Sequence, residues 1–124
     1  MQVVTFLLTQ KPEAATAFYR DTMGFRYLRD DGFALVFDVG GVMLRIGKVR
    51  EFTPAQNTVL GWEVGDIGEA VQRFEHQGVR FERYPSMGQD DQGICTFPNG
   101  DKVAWFKDPD GNVLSLSQHA GQQA

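Results

Sequence analysis

Apolar and polar positions run through this chain twice in the same order. The first round opens on VVTFLLT (residues 3–9), rich in β-branched and aromatic residues, which predicts a strand. Pro12 suits the first turn of a helix, and Ala15, Phe18, Tyr19 and Met23 then recur on one helical face until Gly24 supplies a stop. Strand-like runs follow over residues 25–30, 33–39 and 42–48. The second round opens on VLGWEV (59–64). Asp66 and Glu69 then form a pair resembling a capping box, and Ile67, Ala70, Val71 and Phe74 return at helical spacing before Gly78. Its strand-like runs cover 80–84, 102–107 and 112–118.

The two rounds share residues as well as order. GFALVFDVGGVMLRI (32–46) lies over KVAWFKDPDGNVLSL (102–116) at a constant offset of 70, matching Ala34 with Ala104, Asp38 with Asp108, Gly41 with Gly111 and Leu44 with Leu114. In each, an Asp is followed three residues later by a Gly between strand-like runs, a turn signal. In the second copy Pro109 sets φ and Gly111 takes a left-handed conformation. The offset between Gly24 and Gly78 is only 54, so the second round carries about 16 extra residues, within YPSMGQDDQGICTFPNG. A βαβββ unit of about 50 residues cannot cover both faces of its own sheet, so each copy needs a twin. The expected fold class is α+β with two tandem βαβββ modules in one domain: module 1 over 1–49, a linker over 50–57, module 2 over 58–118 and a frayed tail over 119–124.

Composition narrows the function classes. With 124 residues, 42% apolar and 23% charged, the chain suits one globular domain and neither a fibre nor a disordered segment. No apolar run approaches the roughly 18 residues needed to span a bilayer, and MQVVTFLLTQK reads as a first strand and not as a signal peptide. No membrane partner and a cytoplasmic location are expected. A net charge of −4 without a basic stripe offers nucleic acid no electrostatic footprint. Cys95, the only cysteine, rules out an internal disulfide and is expected in the core.

Phe18-Tyr19 followed by Met23-Gly24-Phe25, Trp62-Glu63-Val64 leading to Asp66-Ile67, and AWFKDPDGNVLSL together resemble the vicinal oxygen chelate superfamily. That superfamily includes glyoxalase I, extradiol dioxygenases, fosfomycin-modifying enzymes and bleomycin-binding resistance proteins. The resemblance implies a curved mixed sheet around a cup, and a homodimer with shared cups, with the pairing of modules within or between chains left open. It also implies four metal-binding positions, which fall on Val4, Arg45, Val59 and Ser115. None is a usual ligand of a divalent metal, so no metal and no cofactor are expected. His76 and His119 are expected as surface residues.

Strand alternation from those four positions names the cup wall: Val4, Phe6 and Leu8; Met43 and Arg45; Val59, Gly61 and Glu63; Val113, Ser115 and Ser117. Likeness to the fosfomycin-modifying members adds Val103 and Trp105, with Phe33 and Leu35 as their first-module counterparts. The candidate ligand-binding residues are therefore Phe6, Phe33, Leu35, Met43, Arg45, Glu63, Val103, Trp105 and Ser115, with Trp105 as a stacking surface. Arg45 and Glu63 are charges on an inward face, paired with each other or with a ligand. Arg45 could fork onto a carboxylate or a phenolate-like oxygen, and Glu63 could pair with a cationic group or, with its pKa raised by desolvation, act as a base. Met87 to Asn99 could form a lid, while Asp90, Asp91, Lys102 and Lys107 read as solvated charges. The leading function is a metal-independent protein binding a small organic ligand, sequestering a drug or aromatic metabolite. A metal-independent lyase or isomerase using Glu63 is the alternative, ahead of a metal-dependent glyoxalase or dioxygenase.

Overall fold

The computed structural model describes residues 1–121. Its contacts divide into two units: Met1–Pro54 with Asp108–Asn112, and Ala55–Lys107 with the residues from Val113 on. The division falls inside the 50–57 stretch, and the loop 108–112 belongs to the first unit. The fold is α+β, built of two βαβββ modules. Among the described residues no helix is long and apolar enough to cross a membrane.

In the first unit β1 (Val4–Thr9), β2 (Arg26–Asp30), β3 (Ala34–Val39) and β4 (Val42–Lys48) form a sheet in the order β1-β4-β3-β2. β1 lies parallel to β4, and the other pairs are antiparallel. Helix α1 (Pro12–Ala17) runs into a wider π turn over Phe18–Thr22, closed by Met23 N–H donating to Phe18 O at 2.9 Å. Leu7, Leu35 and Ile46 share one row across the sheet and Leu44 pairs with Phe37. All are buried, with Ala15 and Tyr19 of the helix, and the Tyr19 ring lies 6.0 Å from that of Phe37.

The second unit repeats the order with β5 (Leu60–Glu63), α2 (Ile67–His76), β6 (Cys95–Thr96), β7 (Lys102–Lys107) and β8 (Val113–Gln118), sheet order β5-β8-β7-β6. Asp66 caps α2 by accepting from Glu69 N–H at 3.1 Å, and Gln118 Oε1 accepts from Ile67 N–H at 2.8 Å. Phe106 is the centre of the core, with rings of Trp62, Phe74 and Phe81 within 6.4 Å. Cys95 is buried on the other face of the sheet, paired with Val103.

Two expectations need correction. The predicted strand over 80–84 is reduced to a single bridge, Phe81 with Phe106, supported by Glu82 N–H donating to Trp105 O at 2.7 Å. β6, from the extra segment, takes the rest of the β7 edge by pairing Cys95 with Val103. One edge is thus shared between two pieces of chain, which local strand propensity cannot reveal. The constant offset of 70 also fails upstream of the turn. Phe37 pairs with Leu44 whereas Phe106 pairs with Leu114, so the offset is 69 before the turn and 70 after it. Gly40 and Gly41, both at positive φ, make a two-residue loop between the paired Val39 and Val42, while five residues, 108–112, separate the paired Lys107 and Val113.

That five-residue loop is a hydrogen-bonding hub. Asp108, 6% exposed, accepts at Oδ1 from the N–H groups of Asp110 and Asn112, and at Oδ2 from Tyr19 Oη and Asn112 Nδ2, all within 2.8–2.9 Å. Asn112 Nδ2 also donates to Leu8 O at 3.0 Å. Asp110 accepts from Gln10 N–H and from the Thr9 hydroxyl. Burial, with the Asp108 carboxylate beside it, pushes the Tyr19 hydroxyl well above its ordinary pKa, so it stays protonated and donates. A bond to a buried carboxylate contributes more than a neutral one, so Tyr19→Phe is expected to lower stability by about 1.5–3 kcal/mol. Urea unfolding checks this, and an unchanged midpoint would show the bond to be dispensable.

Candidate functional site

The register assigns faces. In the second unit Gly61, Ser115 and Trp105 share one row of the sheet, and Glu63, Ser117, Val103 and Cys95 the next, on the side opposite the Phe106 core. A Cβ on Gly61 would stand 2.7 Å from Ser115 Oγ, so the glycine lets this hydroxyl lie across the strand. The Trp105 ring meets that of Tyr84 edge to face, centroids 5.4 Å apart. These two rings, with Met87 and Val113, wall a cavity of about 560 Å³ whose remaining lining is Gln56, Asn57, Thr58 and Ser86.

One side chain organises the wall. Gln89 Oε1 accepts from Tyr84 N–H at 2.6 Å, and its Nε2 donates to Glu82 O and Gly93 O, both at 2.8 Å. The Arg83 guanidinium donates to the carbonyls of Asp90 and Asp91. Cys95 Sγ lies 3.1 Å from Met87 O. Most of the segment expected to be a lid, Met87 to Asn99, is therefore pinned to the sheet edge, and of it only Met87, at the end of the turn Pro85–Met87, lines the cavity. Tyr84, Ser86 and Met87 were missed because they precede or belong to the insertion, where strand alternation assigns no face. Gln56 and Asn57 read as linker. An aromatic residue directly before Pro85 was the one available signal.

In the first unit Phe6 and Val36 flank Arg45 on one row, with Val4 and Met43 paired on the same face. Leu35 is a correction: it pairs with Ile46 on the helix side and is 2% exposed. The one-residue change of offset across the turns makes Val36 and Ala34 the counterparts of Trp105 and Val103, and a shift of one reverses every face. Phe33 precedes β3 and is 82% exposed.

The two charges each have a partner within their own unit. Arg45 Nη2 lies 2.7 Å from Asp31 Oδ2. That bond, with N–H donors from Phe33 and Ala34, holds the Asp31 carboxyl far below the usual carboxylate range. Glu63 accepts from His119 N–H at 2.8 Å and also pairs with its ring Nδ1. The backbone donor first, then the ring, lower the Glu63 carboxyl, opposing the expected upward shift for a base. His119 is half-exposed and committed to Glu63. The remainder of the predicted tail, from residue 122, lies outside the described residues.

A family model, Glyoxalase/Bleomycin resistance protein/Dioxygenase superfamily, matches residues 2–116. The chain belongs to that superfamily. A glyoxalase family protein from Bacillus anthracis superposes with a TM-score of 0.74 at 20% identity, covering 97% of this chain and 95% of that one. Lactoylglutathione lyase from Agrobacterium tumefaciens gives 0.72 at 23% identity, covering 95% and 92%. A glyoxalase family protein from Enterococcus faecalis gives 0.66 at 24% identity, covering 94% of each chain. These likenesses concern the fold. No curated protein matches the chain.

Family members can hold a metal, but the residue types at the four corresponding positions do not fit one. Val4 and Val59 have no donor atom, Ser115 offers a neutral hydroxyl, and the Arg45 cation is bound to Asp31. Among the described residues no group of three or more His, Cys, Asp or Glu could hold an ion.

Because Asp31 ionises more readily folded than unfolded, its contribution is complete above the unfolded value of about 4 and is lost as pH falls below it. Asp31→Asn is expected to lower stability at pH 7 and to flatten the acid limb of a plot of urea midpoint against pH. Parallel limbs for variant and parent would refute the assignment.

Proposed function

We propose that this chain is a metal-independent binding protein for a small aromatic molecule, seated against Trp105 in the second-unit cavity, of the kind that sequesters a drug or an aromatic metabolite. The observation carrying this reading is the cavity of about 560 Å³ with Trp105 and Tyr84 as its walls. Its size lies within the range of small-molecule sites, and an indole face supplies stacking area at little entropic cost. Family membership is consistent with drug binding, since the superfamily name includes bleomycin resistance. A lyase or isomerase with Glu63 as base is the weaker reading: the His119 backbone N–H and ring hold that carboxylate below its ordinary range, outweighing the opposing effect of desolvation. A metal-dependent glyoxalase or dioxygenase is weaker still, on the donor chemistry above. A single buried cysteine suits a reducing, cytoplasmic setting.

Titration of the protein with bleomycin and a panel of aromatic compounds, followed by indole fluorescence in the parent chain and by calorimetry in the parent and the Trp105 variants, tests the assignment. Trp62 stacks on Phe106 and serves as the internal reference. Saturable quenching is expected, unchanged by EDTA, at least tenfold weaker in Trp105→Ala and largely kept in Trp105→Phe. Binding abolished by EDTA would end the metal-independent reading, and binding indifferent to Trp105→Ala would move the site elsewhere.

The same reading includes a homodimer. Val4, Phe6 and Leu8 on edge strand β1 are 39%, 69% and 41% exposed, an apolar row that a second copy would cover. Sedimentation should give twice 13.9 kDa, falling toward the monomer in Phe6→Asp. A monomer for the parent chain would refute it.

A further inference from the structure

We infer that the Trp105 cavity selects uncharged, planar heteroaromatic ligands bearing an amide or an equivalent donor–acceptor edge, and discriminates against carboxylates of the same shape. The inference rests on the proposal that this cavity is the ligand site, and it specifies what that site accepts. None of the lining side chains carries a charge at neutral pH. The cations nearest in sequence to the two aromatic walls are already committed. Arg83, next to Tyr84, donates to the carbonyls of Asp90 and Asp91, and Lys107, two residues beyond Trp105, pairs with Glu82 at 3.6 Å. A carboxylate entering the cavity would lose water and meet no cation in return.

The polar groups, by contrast, are uncommitted. Gln56, Asn57, Thr58, Tyr84, Ser86 and Trp105 line the space, and none of their side-chain amide, hydroxyl or indole N–H groups has a hydrogen-bond partner among the described residues. Amides and hydroxyls both donate and accept, whereas the indole only donates. The complementary ligand is thus flat enough to stack on Trp105, presents an acceptor toward Nε1 and carries a mixed polar edge toward the amides. An unmet polar edge is penalised more heavily than a missing apolar contact, so discrimination comes from these groups and affinity from the ring. This departs from the expectation that Arg45 would bind a ligand carboxylate, since Arg45 is held by Asp31.

The test uses the full chain and matched carboxamide–carboxylate pairs of pyridine, quinoline and indole at pH 7, followed by the Trp105 indole N–H resonance, which Trp105→Phe identifies. The carboxamides should bind at least tenfold more tightly than their carboxylates. For the indole pair, whose ring nitrogen does not titrate, the gap should narrow as pH falls toward about 4, where the acid begins to become neutral. Thr58→Lys should reverse the preference by adding a cation to the cavity lining. Carboxylates binding as tightly as amides at the Trp105 resonance would overturn the selectivity while leaving the cavity as the site. If no member of any pair moves that resonance, or if pairs bind and shift only residues elsewhere, the cavity is not the site and both readings fall.

Discussion

Asp108 accepts four hydrogen bonds inside one five-residue loop, and the placement of Trp105 depends on that loop keeping its length. Five residues between Lys107 and Val113 pair Trp105 with Ser115, opposite the Phe106 core. The shorter two-glycine loop of the first hairpin shifts the pairing by one, so Leu35, which simple sequence alignment matches to Trp105, turns into the core instead. The tight turn needs less side-chain support: its two positive-φ glycines close it, with Asp38 accepting a single bond from Gly41 N–H at 2.9 Å. A five-residue loop leaves backbone groups unpaired, and Asp108 satisfies them from within. Tyr19 and Asn112 then hold that carboxylate in a setting where losing a donor would be expensive.

The wall facing Trp105 has a comparable dependence on one amide. Gln89 bonds to backbone on three sides, joining the run before Pro85 to the loop after it, and thereby fixes Tyr84 and the turn carrying Ser86 and Met87. The extra residues of the second module serve two structural purposes. Cys95 and Thr96 complete the β7 edge that the shortened 80–84 run leaves open, and Pro85–Met87 forms a cavity wall. Pinning at the edge distinguishes this segment from a hinged lid, since a ladder-paired strand opens less readily than a loop.

Much of the fold was legible because it depends on local periodicity. The strand and helix order of both rounds, apart from the 80–84 run, the helix starts at Pro12 and Asp66 and the stops at Gly24 and Gly78 each follow from a few neighbouring residues. The candidate site was legible only in part. Trp105 and Val103 share a face with Ser115 and Glu63, as the likeness to the fosfomycin-modifying members implied. Phe33 and Leu35 were misplaced by an alignment that carried no gap, and the partners of Arg45 and Glu63 came from Asp31 and His119, 14 and 56 residues away in sequence. Ion pairs over such separations leave no periodic trace, because any exposed charge can be reached by any other once the chain has turned.

By itself the sequence determined two βαβββ modules, their order and the side-chain chemistry available at the four inherited metal positions, since these are properties of residue type and short-range spacing. Tertiary structure alone decided which face each strand presents, which loop became the second wall beside Trp105 and which charges are neutralised before a ligand arrives. The physical reason is that β pairing is non-local and has a period of two residues: a single residue more or less in a turn leaves the local pattern unchanged and reverses what the sheet shows to the site.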